Sequence, residues 1–126
     1  MKLLVCTSYY YYGSPRGLEP QFYYMYKVPE RMGIQADFFD YFTAAAVGAE
    51  QMRRVFLATL RGGGYDAVFI ATHKDEFDQE TLREAGRICP IIAWNSDDEW
   101  RWESYSRHHA PWYSFMVTNS PTIYEQ

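Results

Sequence analysis

The chain is 126 residues long, the size of one domain, so residues 1–126 are expected to form a single folding unit. Hydrophobic residues make up 48% and charged residues 22%, ordinary globular usage that argues against disorder. A net charge of −4 argues against a protein held mainly by nucleic-acid phosphates, which needs a basic face.

Strand-like and helix-like segments alternate along the chain. Lys2 to Cys6 is a short β-rich run suited to a central strand buried on both faces. It is too short for a signal-peptide core, and a tyrosine run follows it. The polar and aromatic loop from Thr7 to Gly17 comes next. Phe22, Met25, Tyr26 and Pro29 then repeat at helical spacing, with Gly33 where a C-terminal cap belongs. Ile34 to Phe39 reads as the second strand and Thr43 to Gly48 as a small-residue link. Met52, Val55, Phe56, Thr59 and Leu60 mark one face of a helix. Gly62-Gly63-Gly64 precedes a strand, so it reads as a helix cap and turn, not as a phosphate loop.

Tyr65 to Ala71 is the third strand, and a helix from about Asp78 to Arg87 carries acids in its first turn. Ile91 to Trp94 is the fourth strand, Ser96 to Glu99 opens another helix, and Phe115 to Thr118 is the fifth strand. This alternation predicts an α/β fold: a doubly wound, mainly parallel five-stranded sheet with helices on both faces, Rossmann-like. The expected strand order is 3-2-1-4-5, with ligands at the carboxyl ends of the strands near the switch point. No apolar stretch approaches the ~20 residues that cross a bilayer. Cys6 and Cys89 make no disulfide framework and fit buried, reduced thiols in a cytoplasmic protein.

The switch-point loop holds Tyr9 to Tyr12, then Gly13, Ser14 and Arg16. A glycine lets backbone approach a ligand, and an Arg near a helix N-terminus attracts phosphate. The G-x-G-x-x-G fingerprint and the P-loop lysine are both absent. The tyrosines either stack on a ligand or pack on their own helix or a neighbouring domain. The fourth strand ends in Trp94-Asn95-Ser96-Asp97-Asp98-Glu99. Asp97 or Asp98 fits a general base on a hydroxyl. Ser96 with Glu99 also fits a capping box, and both readings can hold together. His73 follows the third strand on the ligand side and is a second candidate base. His108-His109 has no partner at metal-ligand spacing, so no metal is expected. The aromatic cluster Trp100, Trp102, Tyr105, Trp112 and Tyr113 reads as core or interface.

Three stretches carry a resemblance. They are Tyr65-Asp66-Ala67-Val68-Phe69-Ile70, then Ile91-Ile92-Ala93-Trp94-Asn95-Ser96-Asp97-Asp98, then Val117-Thr118-Asn119-Ser120 with Tyr124. The chain resembles, through nearly its whole length, the N-terminal half of GT-B glycosyltransferases, and among them the spore-maturation-type group. The resemblance implies two Rossmann-like halves flanking a cleft, with the acceptor held mostly by the N-terminal half. It implies a nucleotide sugar as donor substrate, no cofactor, and donor phosphate near Gly13 and Ser14. It also implies a base at Asp97 or Asp98.

Within that frame Gly13, Ser14 and Arg16 contact donor or acceptor. Tyr11, Tyr12 and Trp94 offer apolar faces to a sugar ring, with Asn95 beside them. A two-domain enzyme of this kind needs more than twice this length. The expectation is therefore a domain that lacks its donor-binding half, inactive or weakly active alone. It would be completed by a C-terminal domain or a partner subunit, and a homo-oligomer is a separate expectation. The alternative is a non-catalytic flavodoxin-like binding or assembly module with an aromatic-rich surface. A third reading, nucleotide binding with Asp40 on a ribose hydroxyl, requires affinity for a free dinucleotide.

Overall fold

A computed structural model describes residues 1–11 and 14–123. Tyr12, Gly13 and Tyr124 lie outside the described residues. The elements follow in the order β1 (Lys2–Thr7), a π-helical turn (Phe22–Lys27) running into α1 (Val28–Arg31), β2 (Gln35–Asp40), α2 (Tyr41–Ala45), α3 (Ala49–Gly63), β3 (Ala67–Ile70), α4 (Gln79–Ile88), β4 (Ile91–Asn95), α5 (Asp98–Arg101), a π-helical turn (Trp102–Ser106), α6 (Arg107–His109), a 3₁₀ turn (Ala110–Trp112) and β5 (Phe115–Thr118). A final 3₁₀ turn spans Pro121–Ile123. None of these helices is long and apolar enough to cross a membrane.

The five strands form one all-parallel sheet in the order β2-β1-β3-β4-β5. The α/β class is as expected, but the expected order 3-2-1-4-5 is not what forms. The reason is legible in burial. β3 reads Ala-Val-Phe-Ile with three positions buried and one half-buried, which an edge cannot satisfy. β2 reads Gln-Ala-Asp-Phe-Phe-Asp with Phe39 alone buried and the other positions exposed or partly buried, which suits an edge. β3 therefore takes the central place beside β1, and the switch point falls between β1 and β3.

One face of the sheet is thickly covered. Leu4, Cys6, Val68, Ile70, Ile91 and Ala93 meet Met52, Phe56 and Leu60 of α3 and Leu82 and Ala85 of α4. Each fully buried Val, Leu, Ile, Met or Phe among them stabilises the fold by about 1.5–3 kcal/mol. Helix α3 ends as its glycines predict, with Gly64 left-handed at φ 61°. Asp78 caps α4 by accepting from Thr81 N. The segment Thr43 to Gly48 is not merely a link. Asp40 accepts from the Phe42 and Thr43 amides and nucleates the short helix α2.

The other face carries Leu3, Val5, Ala67 and Ala71, and among the described residues it is covered by the Phe22–Arg31 segment through Met25 and Tyr26. Register places Phe69, Ile92 and Phe115 in one row across this face, with Trp94 beside Val117. Phe115 is 66% exposed and Val117 36% exposed, so this face stays open over β4 and β5.

Candidate functional site

At the switch point the loops after β1 and β3 part, and three polar side chains converge there. The tyrosine loop makes this happen. Tyr10 bridges Leu18 in antiparallel fashion, Tyr11 N donates to Gly17 O, and Glu19 N donates to Tyr9 O. The loop thus folds back on itself and returns Glu19 to the end of β1. Tyr9 anchors it by packing edge-on against Phe22, ring centroids 4.6 Å apart.

Glu19 is 1% exposed, although it carries a carboxyl group. Ser8 is also fully buried, and its Oγ lies 3.5 Å from Glu19 Oε2 and 3.5 Å from His73 Nε2. His73 Nε2 is 3.8 Å from Glu19 Oε2. Burial pushes the Glu19 carboxyl above its ordinary range, while His73, the Ser8 hydroxyl and the Gln21 amide pull it back. The His73 backbone is clamped in turn, because Arg101 Nη2 donates to His73 O at 2.9 Å. The Arg101 guanidinium lies over the Tyr105 ring at 4.4 Å, and Tyr105 shares a 2.8 Å hydrogen bond with Thr72. Burial pushes the Tyr105 phenol up to about 12.

These groups border a cleft of about 270 Å³, lined by Tyr11, Glu19, Gln21, His73, Lys74, Ser96, Asp97, Trp100 and Arg101. Carboxylates, an imidazole, cations and exposed rings thus meet at one strand end. Ser8 does not fit a nucleophile, since it is sealed from the cleft. Glu19 and Ser8 also approach the same imidazole nitrogen, whereas a catalytic relay uses opposite nitrogens. The arrangement is a carboxylate–imidazole pair steadied by a hydroxyl, suited to accepting a proton. Among the described residues, no three His, Cys, Asp or Glu side chains come together as a metal site.

The sequence candidates divide. Tyr11, His73 and Asp97 line the cleft. Asp97 sits at φ 64°, the one non-glycine residue with positive φ among those described, and its side chain caps no helix amide. It takes the N-cap position of α5 itself, so Ser96 and Glu99 do not form the expected capping box. Asp98 is fully buried and does not line the cleft; Ser106 donates to its Oδ1. Asn95 is also buried, with its amide 3.3 Å from Met116 Sδ. Trp94 points to the open sheet face and lines a different cavity. Ser14 and Arg16 lie on the turn of the loop and are not among the residues that line the cleft, although Ser14 N donates to Tyr11 O at 2.9 Å. Tyr12 and Gly13 lie outside the described residues. Cys6 and Cys89 are both buried free thiols.

Sequence reasoning missed Glu19, Gln21, Lys74, Trp100 and Arg101 as cleft residues, and Ser8 as the buried hydroxyl behind them. One signal was present. Glu19 is the sole acidic residue among positions 1–29, set in an aromatic stretch where a carboxylate has no solvating neighbours. Compared with protein-family models, curated proteins and solved structures, the chain matches none.

Proposed function

We propose that this chain is the acceptor-side domain of a nucleotide-sugar-dependent glycosyltransferase. The observation that carries the reading is the cleft wall, where the Glu19–His73 pair and Asp97 face the same space as the rings of Tyr11 and Trp100. Sugars are bound in this way, with carboxylates on hydroxyls and aromatic faces on the apolar side of the ring. Trp100 is 71% exposed at this wall, an exposure that ligand contact would relieve.

The proposed chemistry follows from the groups present. The acceptor hydroxyl gives its proton to the Glu19–His73 pair, and its oxygen forms the new bond to the sugar carbon. The bond from that carbon to the donor phosphate breaks, and the nucleotide leaves with the electron pair. The carboxylate and imidazole share the proton between them, so neither has to carry a lone charge in the desolvated site. Asp97 orients the acceptor. Lys74 and Arg101 provide positive charge on the same wall for the departing phosphate. The donor half comes from a further domain or a partner subunit, in a reducing compartment such as the cytoplasm that suits the free thiols.

The test is NMR titration of the chain with methyl glycosides of glucose, galactose and N-acetylglucosamine. The reading expects one of them to shift the signals of His73, Trp100 and Tyr11, and Asp97→Asn to weaken that binding about tenfold. Silence at all three residues with every glycoside would overturn it. A second reading, a non-catalytic assembly module, is favoured by the exposure of Phe115 and Val117 on the open face. It expects concentration-dependent self-association and no glycoside binding.

A further inference from the structure

A second cavity adjoins the polar cleft. It measures about 400 Å³ and is lined by Pro20, Gln21, Tyr24, Met25, Phe69 and Trp94. Apart from Gln21 these side chains are apolar or aromatic, and three of them present rings. The size falls within the ~300–1,000 Å³ usual for small-molecule sites. The cavity lies in the angle between the Phe22–Arg31 segment and the exposed face of β3 and β4. It exists because that face has no second helix over it among the described residues.

Gln21 lines both cavities and forms their seam. Its Oε1 has no hydrogen-bond partner among the described residues, so the seam carries a polar atom that protein does not satisfy. A polar cleft continuous with an apolar cavity is matched by a ligand that is polar at one end and apolar at the other.

We propose that the two cavities form one acceptor site for an amphipathic acceptor, whose hydroxyl-bearing part lies in the polar cleft and whose aromatic group lies between Tyr24, Phe69 and Trp94. This rests on the glycosyl-transfer reading above and adds the class of acceptor. An aromatic group fits better than an alkyl chain because the walls are ring faces and edges, which favour offset-stacked and edge-to-face contacts. A second copy of the chain is the weaker fit. The cavity is concave, whereas the projecting residues Phe115 and Val117 are not among those that line it.

The experiment compares phenyl and methyl β-D-glycosides of glucose, galactose and N-acetylglucosamine. Octyl β-D-glucoside is added below its micelle concentration. The readouts are the Trp94 indole N–H and the His73 and Trp100 signals. The phenyl glycoside is expected to bind at least tenfold more tightly than its methyl counterpart and to shift both sets of signals. Trp94→Ala should erase that tenfold preference. Tyr24→Ala, at a residue 68% exposed, should reduce the preference with little effect on stability. Equal phenyl and methyl affinities, with shifts in the polar cleft, would overturn the proposal while the glycosyl-transfer reading survives. Octyl binding tighter than phenyl binding would overturn the aromatic class. Trp94 shifts that appear on raising protein concentration alone would assign the face to a second copy. Absence of any shift in the polar cleft would remove the glycosyl-transfer reading and this proposal with it.

Discussion

Glu19 Oε2 lies 3.8 Å from His73 Nε2, with the Ser8 hydroxyl 3.5 Å from each. A carboxylate this well buried is a liability to the fold, since an imidazole, one hydroxyl and the Gln21 backbone amide are a thin replacement for its water. Its pKa is raised, so in the pH window just above the ordinary Glu value the folded chain holds a proton that the unfolded chain has lost. Stability therefore falls as pH rises through that window. Glu19→Gln cannot titrate. It should make the fold more stable at about pH 8, with the gain shrinking to nothing at about pH 4. Urea unfolding of both proteins across that range checks this. A gain of the same size at acid pH would mean that packing, not charge, sets the effect. The same variant should lose glycoside binding in the cleft, a trade of stability for function.

Asp97 carries the other sign of functional strain. Its φ of 64° is unusual for any residue with a side chain, and nothing in the helix it precedes rewards the carboxylate. Asp97→Gly removes the steric cost at the expense of a more flexible unfolded chain. It should leave stability within about 1 kcal/mol of the parent or raise it. Glycoside binding should fall about tenfold, as for Asp97→Asn. Thermal unfolding and titration on the same samples separate the two effects. A large loss of stability would show that the carboxylate has a structural role.

Tyr41 is wholly buried and packs edge-on against Phe77 at 5.9 Å and His73 at 6.4 Å. Its hydroxyl has no hydrogen-bond partner among the described residues, and burial drives its pKa far above the usual phenol range. An unsatisfied buried hydroxyl costs about 1–3 kcal/mol. Tyr41→Phe keeps the ring and removes the cost, so unfolding should require more denaturant, by about 1 kcal/mol or more. A destabilised variant would reveal a hydrogen bond that holds the hydroxyl.

How much of this was legible differs from element to element. β5 spans Phe115–Thr118, where its β-rich run lies, and the α3 stop is written in Gly64, because these are local rules of burial and backbone freedom. The strand order was legible too, but only by weighing Ala-Val-Phe-Ile against Gln-Ala-Asp-Phe-Phe-Asp as rivals for the centre of the sheet. Asn95 illustrates a rule left unapplied. Alternation along β4 puts Ile91, Ala93 and Asn95 on one face, so Asn95 had to turn inward with them. Glu19 was different. Its burial depends on the loop folding back through the Tyr10–Leu18 bridge, and no periodicity in the chain encodes that closure. His73 and Asp97 were found because they directly follow strands, where the topology of the sheet already fixes the ligand side.

The glycine triplet gives the most discriminating test of packing. A Cβ at Gly63 would stand 2.0 Å from Tyr65 Cε2, whereas one at Gly62 meets nothing within 4 Å. The Tyr65 ring is not free to yield. Its hydroxyl donates to Asp37 at 2.8 Å, and the Lys2 ammonium sits 4.6 Å from the ring centre while also pairing with Asp37 at 3.1 Å. Burial, then the Asp37 hydrogen bond, pushes the Tyr65 phenol up to about 12. Gly63→Ala must displace the ring and so break this group, at a cost of about 1–3 kcal/mol. It should also bring the phenol back toward its ordinary value, since the two largest causes of the shift, burial and the Asp37 hydrogen bond, are weakened. Gly62→Ala should instead stabilise helix α3 by about 0.5–1 kcal/mol. Ultraviolet titration of the tyrosines, with Tyr65→Phe to identify the signal, reads the first effect. Thermal unfolding of the two alanine variants reads the second. Equal stability of the two would mean that the Tyr65 ring moves aside without cost.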